Sequence, residues 1–201
     1  MKKLGILLSG RGSNFESIAR AVQDGMIPAE IAVVITNRPE ARGIARAKDM
    51  GFRSLCVLSK GRQREEYDRD MVRILKNYGV DLVCMAGFMR ILSPYFIEVF
   101  PSRILNIHPS LLPAFPGLNG QRQALEWGAK FSGCTVHFVD KSLDGGPIIQ
   151  QAVVPILNND TEEVLSQRIL KEEHRIYPEA ICLVINEQIR VEGRRVVEVR
   201  K

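Results

Sequence analysis

The chain has 201 residues, 45% hydrophobic and 25% charged, the balance of a globular chain with one sizeable core and not of a disordered or fibrous one. A net charge of +5, spread without a block of like sign, argues against a nucleic-acid tail. Cys56, Cys84, Cys134 and Cys182 are widely spaced with no C-x-x-C pair, which excludes an obvious disulfide framework or zinc site and fits buried thiols in a reducing cytoplasm.

The N-terminal apolar run is too short for a signal peptide, because Arg11 follows almost at once. Residues 104–121 lack Asp, Glu, Lys and Arg, but Pro109, Pro113, Pro116, Asn106 and His108 interrupt them, so no bilayer span is expected.

Residues 4–8 form a continuous apolar run, as in a strand buried on both faces. Gly10-Arg11-Gly12-Ser13-Asn14 follows, and then Phe15, Ile18, Ala19 and Val22 recur at helical spacing until Gly25. Ser13 with Glu16 reads as a capping box. A glycine turn that opens a helix offers backbone N–H groups to an anion, with Gly12 allowing close approach and Arg11 adding charge. A plain capped turn is the alternative. A dinucleotide site does not fit. The third glycine is missing, and the second strand, residues 31–35, ends in Thr36-Asn37-Arg38 without an acid for a ribose. A single phosphate, as on a phosphorylated ribose, fits better.

Residues 41–50 read as a helix and 53–58 as a strand. Tyr67, Met71, Ile74, Leu75 and Tyr78 then mark one face of an amphipathic helix. Arg62 and Arg64 at its start oppose the helix dipole and are expected to face an acidic ligand or solvent. A buried strand at 80–86 leads into Gly87-Phe88-Met89-Arg90-Ile91-Leu92, an apolar loop with one arginine that suits a flat aromatic ligand or ordinary core. Ser93-Pro94 starts a short helix through Val99.

The next strand starts at Ile104 and carries Asn106 and His108, two residues apart and therefore on one side, at or just beyond its carboxyl end. An amide and an imidazole there can hold a developing oxyanion and move a proton. Loop support is the alternative role for such a pair. Residues 112–117 are too proline-rich for a regular element, and 121–128 read as a short helix. Residues 133–140 read as a strand on which His137 shares a face with Thr135 and Val139, a structural or supporting position with a catalytic one as the alternative. Leu143-Asp144-Gly145-Gly146-Pro147 is a tight turn before a strand at 148–156. A carboxylate at Asp144 that reached the His108 pocket would interact with the ring by roughly 4 kcal/mol at about 4 Å, before desolvation.

Asp160 with Glu163, or Thr161, caps the last long helix. Glu173 lies on its apolar stripe, which calls for a ligand or an arginine beside it. Pro178 is expected to kink or break this helix, with residues 180–185 continuing it. Residues 191–199 read as a peripheral hairpin about Glu192-Gly193. No repeat or linker interrupts the alternation, which predicts one α/β domain with a mostly parallel, Rossmann-like sheet flanked by helices and later strands partly antiparallel.

Taken together, Gly10-Arg11-Gly12-Ser13-Asn14, residues 86–92, residues 106–113, residues 143–147 and Glu173-His174 resemble the phosphoribosylglycinamide formyltransferase family, the folate-dependent enzymes of de novo purine synthesis. The resemblance runs from Leu4 to about Pro178. It implies transfer of the formyl group of 10-formyltetrahydrofolate, as co-substrate, to the amine of glycinamide ribonucleotide. It implies Asn106, His108 and Asp144 as catalytic residues. Gly12, Ser13 and Asn14 would hold the phosphate, with Glu173 on the ribose and Gly87 and Pro109 near the substrate. Arg64, Met89, Arg90, Ile91 and Leu92 would hold the folate, with Asn106 beside it and the loop from Asp140 to Asp144 over its pterin. The N-terminal half, about 1–100, would bind the phosphoribosyl group, and the half from about 101 to 201 would carry catalysis and folate.

The expected setting is the cytoplasm, with small-molecule substrates and neither metal, nucleic acid nor membrane; the oligomer is a monomer or weak homodimer. The alternative is a formyltetrahydrofolate hydrolase, which resembles a sister family but generally carries a further regulatory domain. Methionyl-tRNA formyltransferase would call for an RNA-binding domain.

Overall fold

The computed structural model describes residues 1–199. The chain divides into two compact units, one ending at Asn106 and the other beginning at Ile107.

The first unit alternates strand and helix. Its elements are β1 (Lys2–Leu8), α1 (Ser13–Gln23), β2 (Ala29–Thr36), α2 (Arg42–Asp49), β3 (Ser54–Cys56), α3 (Arg64–Asn77), β4 (Leu82–Met85), α4 (Pro94–Val99) and the start of β5 (Ile104–His108). β1 pairs in parallel with β2 on one side and β4 on the other, β2 with β3, and β4 with β5. Parallel strands covered by helices must be apolar on both faces, and Leu4, Ile6, Leu7 and Leu8 of β1 are all fully buried. Gly5 is the small residue in that run because an added Cβ would lie 2.6 Å from Leu75 of α3.

The chain moves outward from β1 through β2 to β3, then returns past β1 to β4. The direction of winding therefore reverses between β1 and β4. Doubly wound sheets open a crevice outside the carboxyl ends of the strands at such a reversal. The glycine turn follows β1 and the loop at 86–93 follows β4, so both lie at that reversal.

The second unit holds the end of β5, α5 (Gly120–Trp127), β6 (Phe131–Phe138), β7 (Ile148–Pro155), α6 (Glu162–Ile185) and a hairpin of β8 (Ile189–Glu192) and β9 (Arg195–Glu198). β6 and β7 are antiparallel, as expected of strands joined by a tight turn. The strands form a seven-stranded sheet in the order β3-β2-β1-β4-β5-β6-β7, with β8 and β9 apart. The α/β class with a mostly parallel sheet and late antiparallel strands is the one the alternation predicts.

Local expectations are met or corrected for identifiable reasons. Ser93 caps α4 by accepting from Phe96 N–H at 3.3 Å, with Pro94 in the first turn. Thr161 caps α6 by accepting from Val164 N–H, while Asp160 is taken by Arg168. The capping box at Ser13 and Glu16 does not form. The N-cap of α1 is Gly12, at φ 80°, no side chain caps the helix, and Glu16 instead pairs with Arg46. α6 runs through Pro178 without ending. Its stripe of Leu165, Ile169, Ile176, Tyr177, Ala180 and Ile181 is buried, α6 packs on β6 and β7, and that packing outweighs the missing proline N–H. The hairpin starts at Ile189, earlier than expected. Cys84 and Cys134 are buried as expected, but Cys56 is exposed because β3 is an edge strand.

Candidate active site

The glycine turn is built by backbone contact. Gly12 at φ 80° is in the left-handed region, where a side chain is disfavoured. A Cβ there would meet Gly43 Cα at 2.5 Å, and one on Gly43 would meet Gly12 Cα at 2.9 Å. Gly43 N–H also donates to Gly10 O at 3.0 Å. The glycine at position 12 is thus required by the start of α2 and by its own backbone angle. Ser13 is half-buried and Asn14 buried in the first turn of α1.

Behind the turn, three buried polar side chains interlock. Ser9 Oγ donates to Asn37 Oδ1 at 2.5 Å, and Asn37 Nδ2 donates to Ser59 Oγ at 3.1 Å. Asn37 occupies the strand end where a dinucleotide fold carries its ribose-binding acid, and here it is spent on internal bonds. Ser9 Oγ also accepts from Met89 N–H at 2.8 Å, and Ser9 N–H donates to Gly87 O at 3.0 Å. In that loop Met89 and Ile91 are each 56% exposed, whereas Leu92 is buried. The Arg90 guanidinium lies 4.6 Å from the Tyr67 ring centroid, a cation–π distance. Arg64 is exposed at the start of α3. Arg62, just before α3, pairs with Glu66 at 2.9 Å and Asp70 at 2.8 Å, both on that helix.

The second unit brings an imidazole and a carboxylate together from distant parts of the chain. His108, at the end of β5, has Nδ1 3.4 Å from Asp144 Oδ2 and Nε2 2.9 Å from Phe115 O. Both ring nitrogens thus face oxygen atoms. Asp144 Oδ2 also accepts from Gly117 N–H at 2.8 Å. Asp144 itself sits at φ 49°, the left-handed region that Asp tolerates better than most residues. Asn106 is half-buried two positions before His108 on β5, so the alternation of the strand directs both to one side.

A second histidine meets the same carboxylate. His137 is buried, donates from Nδ1 to Phe138 O at 2.9 Å, and has Nε2 3.8 Å from Asp144 Oδ1. Burial holds this imidazole below its ordinary range, against the pull of the Phe138 carbonyl and Asp144. His137 therefore serves as a neutral neighbour, the supporting role expected of it.

Sequence reasoning missed the frame of this cluster. Thr135 is fully buried, and its Oγ1 donates to Ser110 O at 2.7 Å and accepts from Leu112 N–H and Gln151 Nε2. Gln151 Nε2 also reaches Leu112 O, and Ser110 Oγ donates to Ala114 O. These bonds fix the loop after Pro109. The signal was present: Thr135 alternates with His137 on β6, and Gln151 pairs with it across β7. On the other side of the cluster, Asp140 Oδ1 accepts from Ser142 N–H at 2.8 Å, closing the loop on itself. Arg194, at the hairpin tip, donates to Gly145 O at 2.8 Å. Glu173 is buried on α6, and its charge helps push the Cys134 thiol, already raised by burial, up to about 12. Among the described residues, no group of His, Cys, Asp and Glu is arranged to hold a metal ion.

A family profile described as formyl transferase matches residues 2–181. Phosphoribosylglycinamide formyltransferase of Escherichia coli is 44% identical over 174 residues, covering 86% of this chain and 82% of that protein. The trifunctional purine biosynthetic protein adenosine-3 of Drosophila melanogaster is 48% identical over 188 residues, and here the chain spans 14% of the relative's length. The crystal structure of glycinamide ribonucleotide transformylase 1 from Symbiobacterium toebii superposes with a TM-score of 0.97 at 51% identity, over 100% of this chain and 95% of that one. A formyltetrahydrofolate deformylase from Pseudomonas syringae superposes at 0.92 but is 24% identical, a likeness of fold alone.

Proposed function

This chain belongs to the formyl transferase family, and from that premise we propose that it transfers the formyl group of 10-formyltetrahydrofolate to the amine of glycinamide ribonucleotide in de novo purine synthesis. The observation that carries the reading is the pairing of buried His108 with half-buried Asp144 in a chain 44% identical to an enzyme of that name.

In this reading the ribonucleotide amine attacks the formyl carbon directly. The new C–N bond forms as the C–O π electrons move onto oxygen, and the bond to N10 then breaks. Asn106 and His108 hold the oxyanion. Asp144 orients the His108 ring and helps pass the proton lost by the amine to N10. Gly12, Ser13 and Asn14 hold the phosphate with backbone N–H groups, Glu173 holds the ribose, and Gly87 and Pro109 line the substrate. The exposed Met89 and Ile91, with Arg64, Arg90 and Leu92, hold the folate, whose ring faces and acidic tail match that mix. Residues 140–144 cover the pterin. The chemistry calls for no metal. The enzyme works in the cytoplasm on small molecules, and no helix among the described residues is long and apolar enough to cross a membrane.

An amine acceptor is favoured over water because the relatives of high identity are transformylases, whereas the deformylase shares only the fold. Folate deformylation followed with and without glycinamide ribonucleotide tests the reading. The expected result is deformylation that depends on the ribonucleotide; an equal rate without it overturns the assignment.

A further inference from the structure

The loop from Gly87 to Ser93 exposes two large apolar side chains, Met89 and Ile91, yet it is held at both ends by buried polar residues from other elements. At its start Ser9 makes two bonds, donating from N–H to Gly87 O at 3.0 Å and accepting at Oγ from Met89 N–H at 2.8 Å. At its end Asp68 Oδ2 accepts from Ser93 N–H at 2.5 Å. Asp68 is the one charged side chain among the residues α3 buries, which are Tyr67, Asp68, Met71, Val72 and Leu75. It is 1% exposed. A carboxylate on a helix's buried face is costly, and burial indeed pushes the Asp68 carboxyl up against the pull of Ser93 and Arg90. Between the two anchors, Arg90 lies over the Tyr67 ring at 4.6 Å, and Tyr67 in turn donates its hydroxyl to Val57 O at 3.1 Å.

We propose that Asp68 and Ser9 are positioning residues that clamp the two ends of this loop, so that Met89, Arg90 and Ile91 are presented to the folate in a fixed geometry. The proposal rests on the folate assignment made above for the loop. Its physical content is preorganisation. A loop carrying exposed apolar side chains would otherwise fold inward, and ordering it on binding would weaken the affinity. Asp68 acts through Ser93 and Ser9 through Met89, and neither touches the substrate. The same Ser93 also caps α4, so one carboxylate sets both the end of the loop and the start of the helix.

Steady-state kinetics with both substrates varied test the clamp on the full chain. Wild-type protein is measured first, and failure of ribonucleotide-dependent transfer there refutes the function reading and not the clamp. In Asp68→Ala the KM for formyl-folate should rise about ten-fold, with kcat and the KM for the ribonucleotide within about two-fold. Asp68→Asn keeps an acceptor for Ser93 N–H and should recover most of the loss. A merely structural role would lower kcat or raise both KM values alike, and either outcome overturns the proposal, as does an Asn variant no better than Ala. If Asp68→Ala does not accumulate as folded protein, Ser9→Ala applies the same test at the other end. There the folate KM should rise about five-fold with kcat unchanged, and an unchanged folate KM overturns the clamp.

Discussion

At the carboxyl ends of β1 and β4, the first unit offers backbone: a glycine turn and an apolar loop, with Ser9, Asn37 and Asp68 turned inward to hold them. The second unit offers side chains, an imidazole and a carboxylate aimed at each other, with Thr135 and Gln151 framing the loop beside them. In the proposed function the two solve different problems. An anion is held by any correctly spaced N–H groups, so main-chain geometry suffices and the side chains are free to serve as struts. Proton transfer needs groups whose charge can change, so the second unit spends buried volume on titratable residues and must surround them with fixed carbonyls and N–H groups.

Substitutions should separate the two kinds of site, the side-chain site failing in turnover and the backbone site failing in affinity. The largest effect is expected at His108. His108→Ala should lower kcat by about a thousand-fold or more while ribonucleotide affinity, measured by calorimetry, changes little. Asp144→Asn should cost about a hundred-fold in kcat, because the His108 ring loses the carboxylate that lies 3.4 Å from its Nδ1. An unaltered kcat would reduce Asp144 to a turn former. Gly12→Ala should instead act on affinity. It forces a side chain into φ 80° and against Gly43 Cα at 2.5 Å, costing about 1–2 kcal/mol in backbone strain alone and raising the ribonucleotide KM about ten-fold. A substrate without its phosphate should show a similar loss on wild-type protein and a much smaller further loss on this variant.

A smaller effect concerns stability against pH. His137 has its protonated form disfavoured in the folded state, so the unfolded chain binds the proton first as pH falls below about 6.5. Its contribution is complete above that pH and declines as pH drops toward the lower folded value. Urea midpoints at about pH 7.5 and about pH 5.5 should differ less in His137→Gln than in wild type. The smallest effect is expected at Arg194, whose exposed bond to Gly145 O supports the Asp144 turn from outside. Arg194→Ala should change kcat by no more than about two-fold.

The fold was largely legible because its strands are buried on both faces and read as unbroken apolar runs, as at residues 4–8 and 80–86. The glycine turn was legible because only glycine suits its angles, although the reason for Gly12 lies in Gly43, which no local pattern reveals. His108 and Asp144 are named as a pair through family resemblance; spacing alone could not bring a β5 residue to the turn before β7. Asp68 was invisible for a different cause. It sits beside the apolar stripe of α3, where a charged residue reads as solvent-facing, and only the position of the Ser93 N–H gives it a partner. The false capping box at Ser13 and Glu16 likewise arose from a pattern whose second member found a stronger partner in Arg46.

The backbone-to-backbone contact of Gly12 with Gly43 has a consequence for redesign. The turn is walled on one flank by another helix's main chain, so enlarging it for a bulkier anion is not a matter of loop editing. Any methyl group added at either position pushes α1 and α2 apart, and a second methyl across the gap aggravates the first instead of compensating it. The workable route is to shift α2 as a rigid body by repacking Ile44 and Ala47 beneath it, leaving both glycines untouched.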